Sequence, residues 1–259
     1  MIRRLRSARR VAGLLAITST LLPLYAAQDA VTAPPDRDRV RDAWTRRWSK
    51  ALLDLFAVDR RLHVAQGDGL RGPLPRPSPP RGRLVVANHR SAIDIGLVLE
   101  AFGGHVLSRA DLARWPLVGA AARRVGTIFV DRGDSKSGAS AIRAVTERLR
   151  HGATVCLFPK GTTFPDDEVR PFHPGAFIAA ARADAEVLPV GIAYRTGSDA
   201  IFYRETFLAH LTRIAESRGT RVAVSVGAPL EGANARDLAD RAHAAVSALV
   251  ADARARVER

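Results

Sequence analysis

A chain of 259 residues with 47% hydrophobic content has the material for one large α/β domain or a domain plus a tail. Lysine and arginine number 40 against 26 acidic residues, and the net +14 calls for an acidic partner. Aromatics are only 6% and are not interleaved with basic residues, so that partner is expected to be an anionic membrane surface and not nucleic acid; the single cysteine, Cys156, excludes an intrachain disulfide and a cysteine-rich metal site.

Residues 1–10 hold five arginines, and residues 11–27 form a mostly apolar run of 17, broken by Thr18-Ser19-Thr20 and Pro23. The run is at the short limit for a membrane span and also resembles a signal peptide. Residues 1–30 are read as an uncleaved membrane anchor with its arginines on the cytoplasmic side, and a cleaved signal peptide is the alternative. Residues 36–58 read as an amphipathic helix, within a segment 36–66 that leads into the next region. Trp44, Trp48, Leu52, Leu55 and Phe56 share one face, flanked by Arg41, Arg46, Arg47 and Lys50. Such a helix lies in a membrane interface, packs on the domain core, or does both in part. Residues 67–82, with Pro73, Pro75, Pro77, Pro79 and Pro80, read as a stiff linker.

In residues 83–259 the pattern alternates. Strands are expected at 84–87, 105–107, 126–130, 154–158, 187–193 and 222–226, and helices at 94–102, 116–124, 138–150, 175–183, 204–216 and 235–257. Strands alternating with helices predict an α/β fold with a mostly parallel central sheet flanked by helices. Ligands bind such sheets at the carboxyl ends of their strands. His89, Arg132 and Lys160 each fall just past such an end.

Four blocks carry chemistry. In Asn88-His89-Arg90-Ser91-Ala92-Ile93-Asp94, a histidine after a buried strand precedes an aspartate at a helix start. Histidine accepts a proton near neutral pH, and a carboxylate on its other ring nitrogen fixes the tautomer. A solvated loop histidine beside a capping aspartate has the same spacing. In Gly126-Thr127-Ile128-Phe129-Val130-Asp131-Arg132, a strand delivers an arginine suited to phosphate, or to a surface ion pair. In Phe158-Pro159-Lys160-Gly161-Thr162-Thr163, Gly161 permits a tight turn close to a ligand and two hydroxyls follow. In Val187-Leu188-Pro189-Val190-Gly191-Ile192, a proline inside an apolar run marks an edge, a bulge or a strand end.

In this order, the blocks resemble the glycerolipid acyltransferase family, whose best-known members are the 1-acylglycerol-3-phosphate acyltransferases. The resemblance covers about residues 84–193. Asn88, His89 and Asp94 match its Asn-His-x4-Asp motif. Gly126, Ile128, Phe129 and Arg132 match the second motif, and Pro189-Val190 the fourth. Arg109, in Arg109-Ala110-Asp111-Leu112, stands where many members have lysine.

The resemblance implies that His89 is the general base and Asp94 its orienter. The acceptor hydroxyl of a lysophospholipid would attack acyl-CoA or acyl-carrier protein, a cosubstrate, with no metal or other cofactor. Arg132, Lys160, Gly161, Thr162 and Thr163 would bind the acceptor head group, with Asn88, Arg109 and Pro189 among the binding residues. The expected place is the cytoplasmic face of the cell inner membrane. The leading acceptor is 1-acylglycerol-3-phosphate, giving phosphatidic acid.

The third motif departs from the family pattern Phe-Pro-Glu-Gly-Thr, because Lys160 replaces its glutamate, and Thr163 stands where many members carry arginine. Lys160 either contacts the head group, or is compensated by Asp166, Asp167 or Glu168, or marks a catalytically impaired lipid-binding relative. The departures also admit another acceptor, such as a lyso-ornithine lipid. His173 is a further candidate for the acceptor site, while His63, His105, His151, His210 and His243 read as surface or packing residues.

Overall fold

The structure is a computed structural model that describes residues 1–64, 81–131 and 133–259. The Pro-rich stretch and Arg132 lie outside the described residues.

Seven strands form one sheet. They are β1 (Val58–Val64), β2 (Arg83–Ala87), β3 (His105–Arg109), β4 (Ile128–Val130), β5 (Thr154–Leu157), β6 (Glu186–Tyr194) and β7 (Thr220–Val226), in the order β1-β7-β6-β2-β5-β3-β4. Every pairing is parallel except β6 with β7. The carboxyl ends of β2 to β6 therefore share one edge.

The helices are α1 (Ile2–Val31), α2 (Arg37–Leu55), α3 (Ile93–Phe102), α4 (Val118–Arg124), α5 (Ser135–Arg150), α6 (Gly175–Arg182), α7 (Phe207–Glu216) and α8 (Ala235–Val257). The side-chain period of two sends Leu84 and Val86 of β2 into a core under α5, α6 and α8, and Val85 and Ala87 into a second core under α2, α3 and α7. Burial on both faces is why β2 is apolar from Leu84 to Ala87, while Arg83 at its start pairs with Glu186 of β6. Gly191 lets β6 approach α8, since a Cβ there would lie 2.3 Å from the Leu249 carbonyl carbon.

The expected α/β architecture is present, with two differences. First, the sheet extends beyond the Pro-rich stretch. Residues 58–64, read as a lead-in, form the edge strand β1 beside β7. Second, α2 does not offer its tryptophans as a free face. Trp48 donates to Thr18 Oγ1 at 3.0 Å and Trp44 to Gln28 Oε1 at 2.6 Å, both on α1. On its other side Leu53 packs against Gly96 of α3. The helix thus packs on both α1 and α3.

Proline in β6 is explained by a bulge. Val187 bridges Leu230 and Val190 pairs with Val226, so two residues of β6 oppose three across the gap. Val187 donates its N–H to Leu230, so the missing N–H of Pro189 falls on this interrupted side. The Pro189 carbonyl still accepts from Gly227 at 3.0 Å.

His105 opens β3 and is 2% exposed. Its Nδ1–H donates to the Gly126 carbonyl at 2.9 Å, while Nε2 is buried without a partner among the described residues. Burial, helped by Arg41 and Arg148, pushes its pKa down to about 4. The folded state thus excludes a proton that the unfolded chain binds below about pH 6.5. Stability should be unaffected above that pH and decline as pH falls from about 6.5 to 4, by about 3 kcal/mol in all. His105→Asn retains a donor for Gly126 without a titrating ring. Denaturant unfolding at pH 7.5 and 5 should show a smaller loss for this variant than for the parent protein; equal losses would refute the assignment.

Candidate active site

The site lies where β2, β5 and β6 end together. Asn88, just past β2, spans the splaying strands: its Nδ2 donates to the Ile192 carbonyl and its Oδ1 accepts from the Ile192 N–H, both at 2.8 Å. The side chain thus imitates a strand residue and fixes where the next residue begins.

That residue is His89. Its Nδ1–H donates to Asp94 Oδ2 at 2.9 Å, and Phe158 stacks on its ring with centroids 4.0 Å apart and planes 12° from parallel. Nε2 makes no hydrogen bond among the described residues, and His89 lines a cleft of about 290 Å³. This leaves the Nε2 lone pair available toward the cleft as a base.

Asp94 is fully buried in the first turn of α3. Oδ2 also accepts the backbone N–H groups of Arg90 (2.6 Å) and Ser91 (2.9 Å), and Oδ1 accepts the Tyr194 hydroxyl at 2.5 Å. Burial first, and then the Asp94 charge, push the Tyr194 phenol well above its ordinary range, so it remains a donor. The carboxylate is a fully satisfied anion that holds the imidazole in one tautomer.

The third block folds as the turn Phe158-Pro159-Lys160-Gly161. The Gly161 N–H donates to the Phe158 carbonyl at 2.8 Å, proline takes the second turn position, and Gly161 has φ +72°. Lys160 and Thr162 line the cleft with His89, opposite a loop carrying Asp166, Glu168 and Arg170. Arg170 pairs with Asp166 at 3.1 Å and also with Glu168, and sits over the Phe164 ring at 5.3 Å. Lys160 has no ion-pair partner among the described residues. Beyond Thr162 and Phe164 the cleft meets a wider open shelf of about 1020 Å³, lined also by Thr163, Pro165, Phe202 and Tyr203.

The acyltransferase family profile matches residues 74–193. A lyso-ornithine lipid O-acyltransferase of Pseudomonas aeruginosa is 32% identical over 254 residues, covering 94% of this chain and 93% of that protein. The chain belongs to the glycerolipid acyltransferase family. A 1-acyl-sn-glycerol-3-phosphate acyltransferase of Neisseria meningitidis serogroup B is 31% identical over 146 residues, 56% of each protein. The fold matches the crystal structure of the 1-acyl-sn-glycerophosphate acyltransferase PlsC from Thermotoga maritima, with a TM-score of 0.73 at 20% identity over 99% of this chain and 100% of that one.

In this acyltransferase His89, Asp94, Lys160 and Thr162 stand together, with Asn88 on the cleft wall and Gly161 and Thr163 in the same turn and shelf. Arg109 ends β3 on the same sheet edge and pairs with Asp111 at 2.9 Å, outside the cleft lining. Pro189 is buried inside β6 and is not among the residues lining the cleft. His173 is exposed and also absent from the lining.

Several contributors were not singled out in the sequence. Tyr194 fixes Asp94 across 100 residues. His210, read as a packing residue, is fully buried beside the turn from His89 to Asp94: Nε2 accepts the Ala92 N–H at 3.2 Å while Nδ1–H donates to Glu205 at 3.0 Å. Arg90 donates to Asp167 and the Pro165 carbonyl, tying that turn to the loop opposite Lys160.

Proposed function

We propose that this protein transfers an acyl chain from acyl-CoA or acyl-carrier protein to the free hydroxyl of a lysolipid, with His89 as general base. His89 Nε2 takes the hydroxyl proton as the acceptor oxygen attacks the thioester carbonyl carbon. The tetrahedral adduct collapses, the C–S bond breaks, and the imidazolium returns its proton to the leaving thiolate. The balance closes without a metal or prosthetic group. The observation that carries this reading is the His89–Asp94–Tyr194 arrangement, which also favours an active enzyme over an impaired relative.

We infer a zwitterionic head group of the lyso-ornithine type ahead of a phosphate. The cleft lining holds three cations, Arg90, Lys160 and Arg170, and two carboxylates, Asp166 and Glu168; Arg90 is engaged by Asp167 and the Pro165 carbonyl. A phosphate dianion would meet carboxylates already paired with Arg170. A head group bearing both an ammonium and a carboxylate finds partners of both signs, with Lys160 open to the carboxylate. The full-length match to a lyso-ornithine lipid acyltransferase supports the same choice. The apolar part of the shelf, at Phe164, Phe202 and Tyr203, suits acyl chains, with Arg204 and Glu205 on the same lining.

The membrane reading changes in one respect. α1 is long and apolar enough to cross a bilayer by length and composition. It is nonetheless held along its length: Arg6 and Arg10 bind the end of α7, Gly13 meets Leu55, Thr18 meets Trp48, and Asp29 pairs with Arg124. We therefore propose that α1 lies on the cytoplasmic face of the inner membrane, with Val11, Leu15 and Leu24 exposed to lipid and the arginines near its start toward anionic head groups.

The test is turnover on two acceptors with one acyl donor. The protein should acylate lyso-ornithine lipid at a higher kcat/KM than 1-acylglycerol-3-phosphate. Lys160→Glu should lower kcat/KM for the former by roughly 10–100-fold, the scale of one charge-assisted hydrogen bond. A parent protein that prefers the phosphate acceptor would overturn the head-group assignment.

A further inference from the structure

Asp167 sits between two cleft residues, Asp166 and Glu168, but is bound elsewhere. One oxygen accepts from Arg90. Arg254, on α8, grips both oxygens, with Nε at 2.6 Å from Oδ2 and Nη2 at 3.0 Å from Oδ1. Arg254 Nη1 also donates to the backbone carbonyl of Tyr194, whose hydroxyl donates to Asp94. The backbone N–H of Arg90 donates to the other oxygen of Asp94. The contacts close a ring: Asp94, Tyr194, Arg254, Asp167, Arg90 and back to Asp94.

We propose that this ring is a positioning device for the base, in which Tyr194, Arg254 and Asp167 act on His89 only through Asp94 and Arg90. The inference rests on the reading of His89 as the base. Both oxygens of the orienting carboxylate are held from it: Oδ1 by Tyr194 and Oδ2 by the turn that Arg90 anchors. The last helix of the chain and the loop that forms the head-group wall thereby meet at the catalytic aspartate. A small rotation of Asp94 swings the imidazole it holds, and misplacement of a base by a fraction of an ångström is costly to turnover. None of the three residues needs to touch either substrate.

A merely structural ring, stapling α8 to the sheet, would affect stability and leave turnover per folded molecule intact. The experiment therefore measures kcat and KM at saturating acceptor for Tyr194→Phe, Asp167→Asn, Arg254→Ala and Arg254→Lys, with the folded fraction fixed by thermal unfolding. Arg241→Ala, an exposed α8 arginine outside the ring, is the control. Tyr194→Phe should lower kcat roughly 10-fold without changing KM for the acyl donor, and Arg254→Lys should recover part of the kcat lost in Arg254→Ala. The double variant Asp94→Asn/Tyr194→Phe should be no slower than Asp94→Asn alone, because Tyr194 acts through Asp94. Parental kcat per folded molecule in Tyr194→Phe and Arg254→Ala, or full additivity in the double variant, would overturn the ring. Parental kcat in Asp94→Asn would overturn the base reading beneath it.

Discussion

Replacing Arg10 with alanine is expected to cost about 3–5 kcal/mol of folding stability, the scale of removing one partner from a buried charged contact. Arg10 is 2% exposed although it lies within ten residues of the N-terminus. Its guanidinium donates to five carbonyls: Leu55 and Phe56 where α2 ends, and Ile214, Ala215 and Ser217 where α7 ends. The last carbonyls of a helix have no partner within it and carry the negative end of its dipole. One planar cation with a fork of donors satisfies two such ends at once. Alanine would leave these carbonyls partly buried without donors, and lysine, with one compact ammonium, could serve only some of them. A thermal unfolding midpoint about 10 °C lower for Arg10→Ala, with Arg10→Lys between, is the expected result. A midpoint within experimental error of the parent protein would mean that α1 is a detachable anchor.

This docking was hidden in the sequence for a physical reason. Arginines before an apolar run look the same whether they face phospholipid or cap two helices, because the partners of Arg10 lie 45 to 207 residues away. The parallel strands were legible: β2, β5 and β6 are buried on both faces, and the apolar run needed for that stands in the chain. The edge strand β1 was not, since Val58-Asp59-Arg60-Arg61-Leu62-His63-Val64 places two arginines at its centre. Arg60 is accommodated only by reaching Glu100 and Asp54.

The candidate site was legible where local order sets geometry. His89 and Asp94 meet because a strand end and a helix start are five residues apart, and Gly161 closes its turn with the Phe158 carbonyl. It was illegible where the fold supplies the partner. Tyr194 and Arg254 reach the site from 100 and 87 residues away, so neither carries a local signal. The candidates offered to replace the motif glutamate also separated only in three dimensions: Asp166 and Glu168 face the cleft, whereas Asp167 is taken by Arg90 and Arg254.

Loss of the proposed base, His89, should have the largest effect on activity. His89→Ala removes the only proton acceptor among the described residues that is oriented at the cleft with a carboxylate behind it, and kcat should fall by roughly 10²–10⁴. Packing should change little, because the imidazole is at the cleft wall and Phe158 keeps its place at the end of β5. Asp94→Asn should also be slow, since an amide can favour the tautomer with Nε2 protonated and so block the lone pair. His89→Gln, which is polar and of similar size but cannot accept the proton, should be as slow as His89→Ala.

The most direct measurement follows a labelled acyl chain from its thioester donor to a lysolipid, in parent protein and in His89→Ala of matched folded fraction. The parent should form the diacylated lipid and release one thiol per product. His89→Ala should form it at no more than about one hundredth of that rate. Equal product formation by the two proteins would contradict the assignment of His89 as the base.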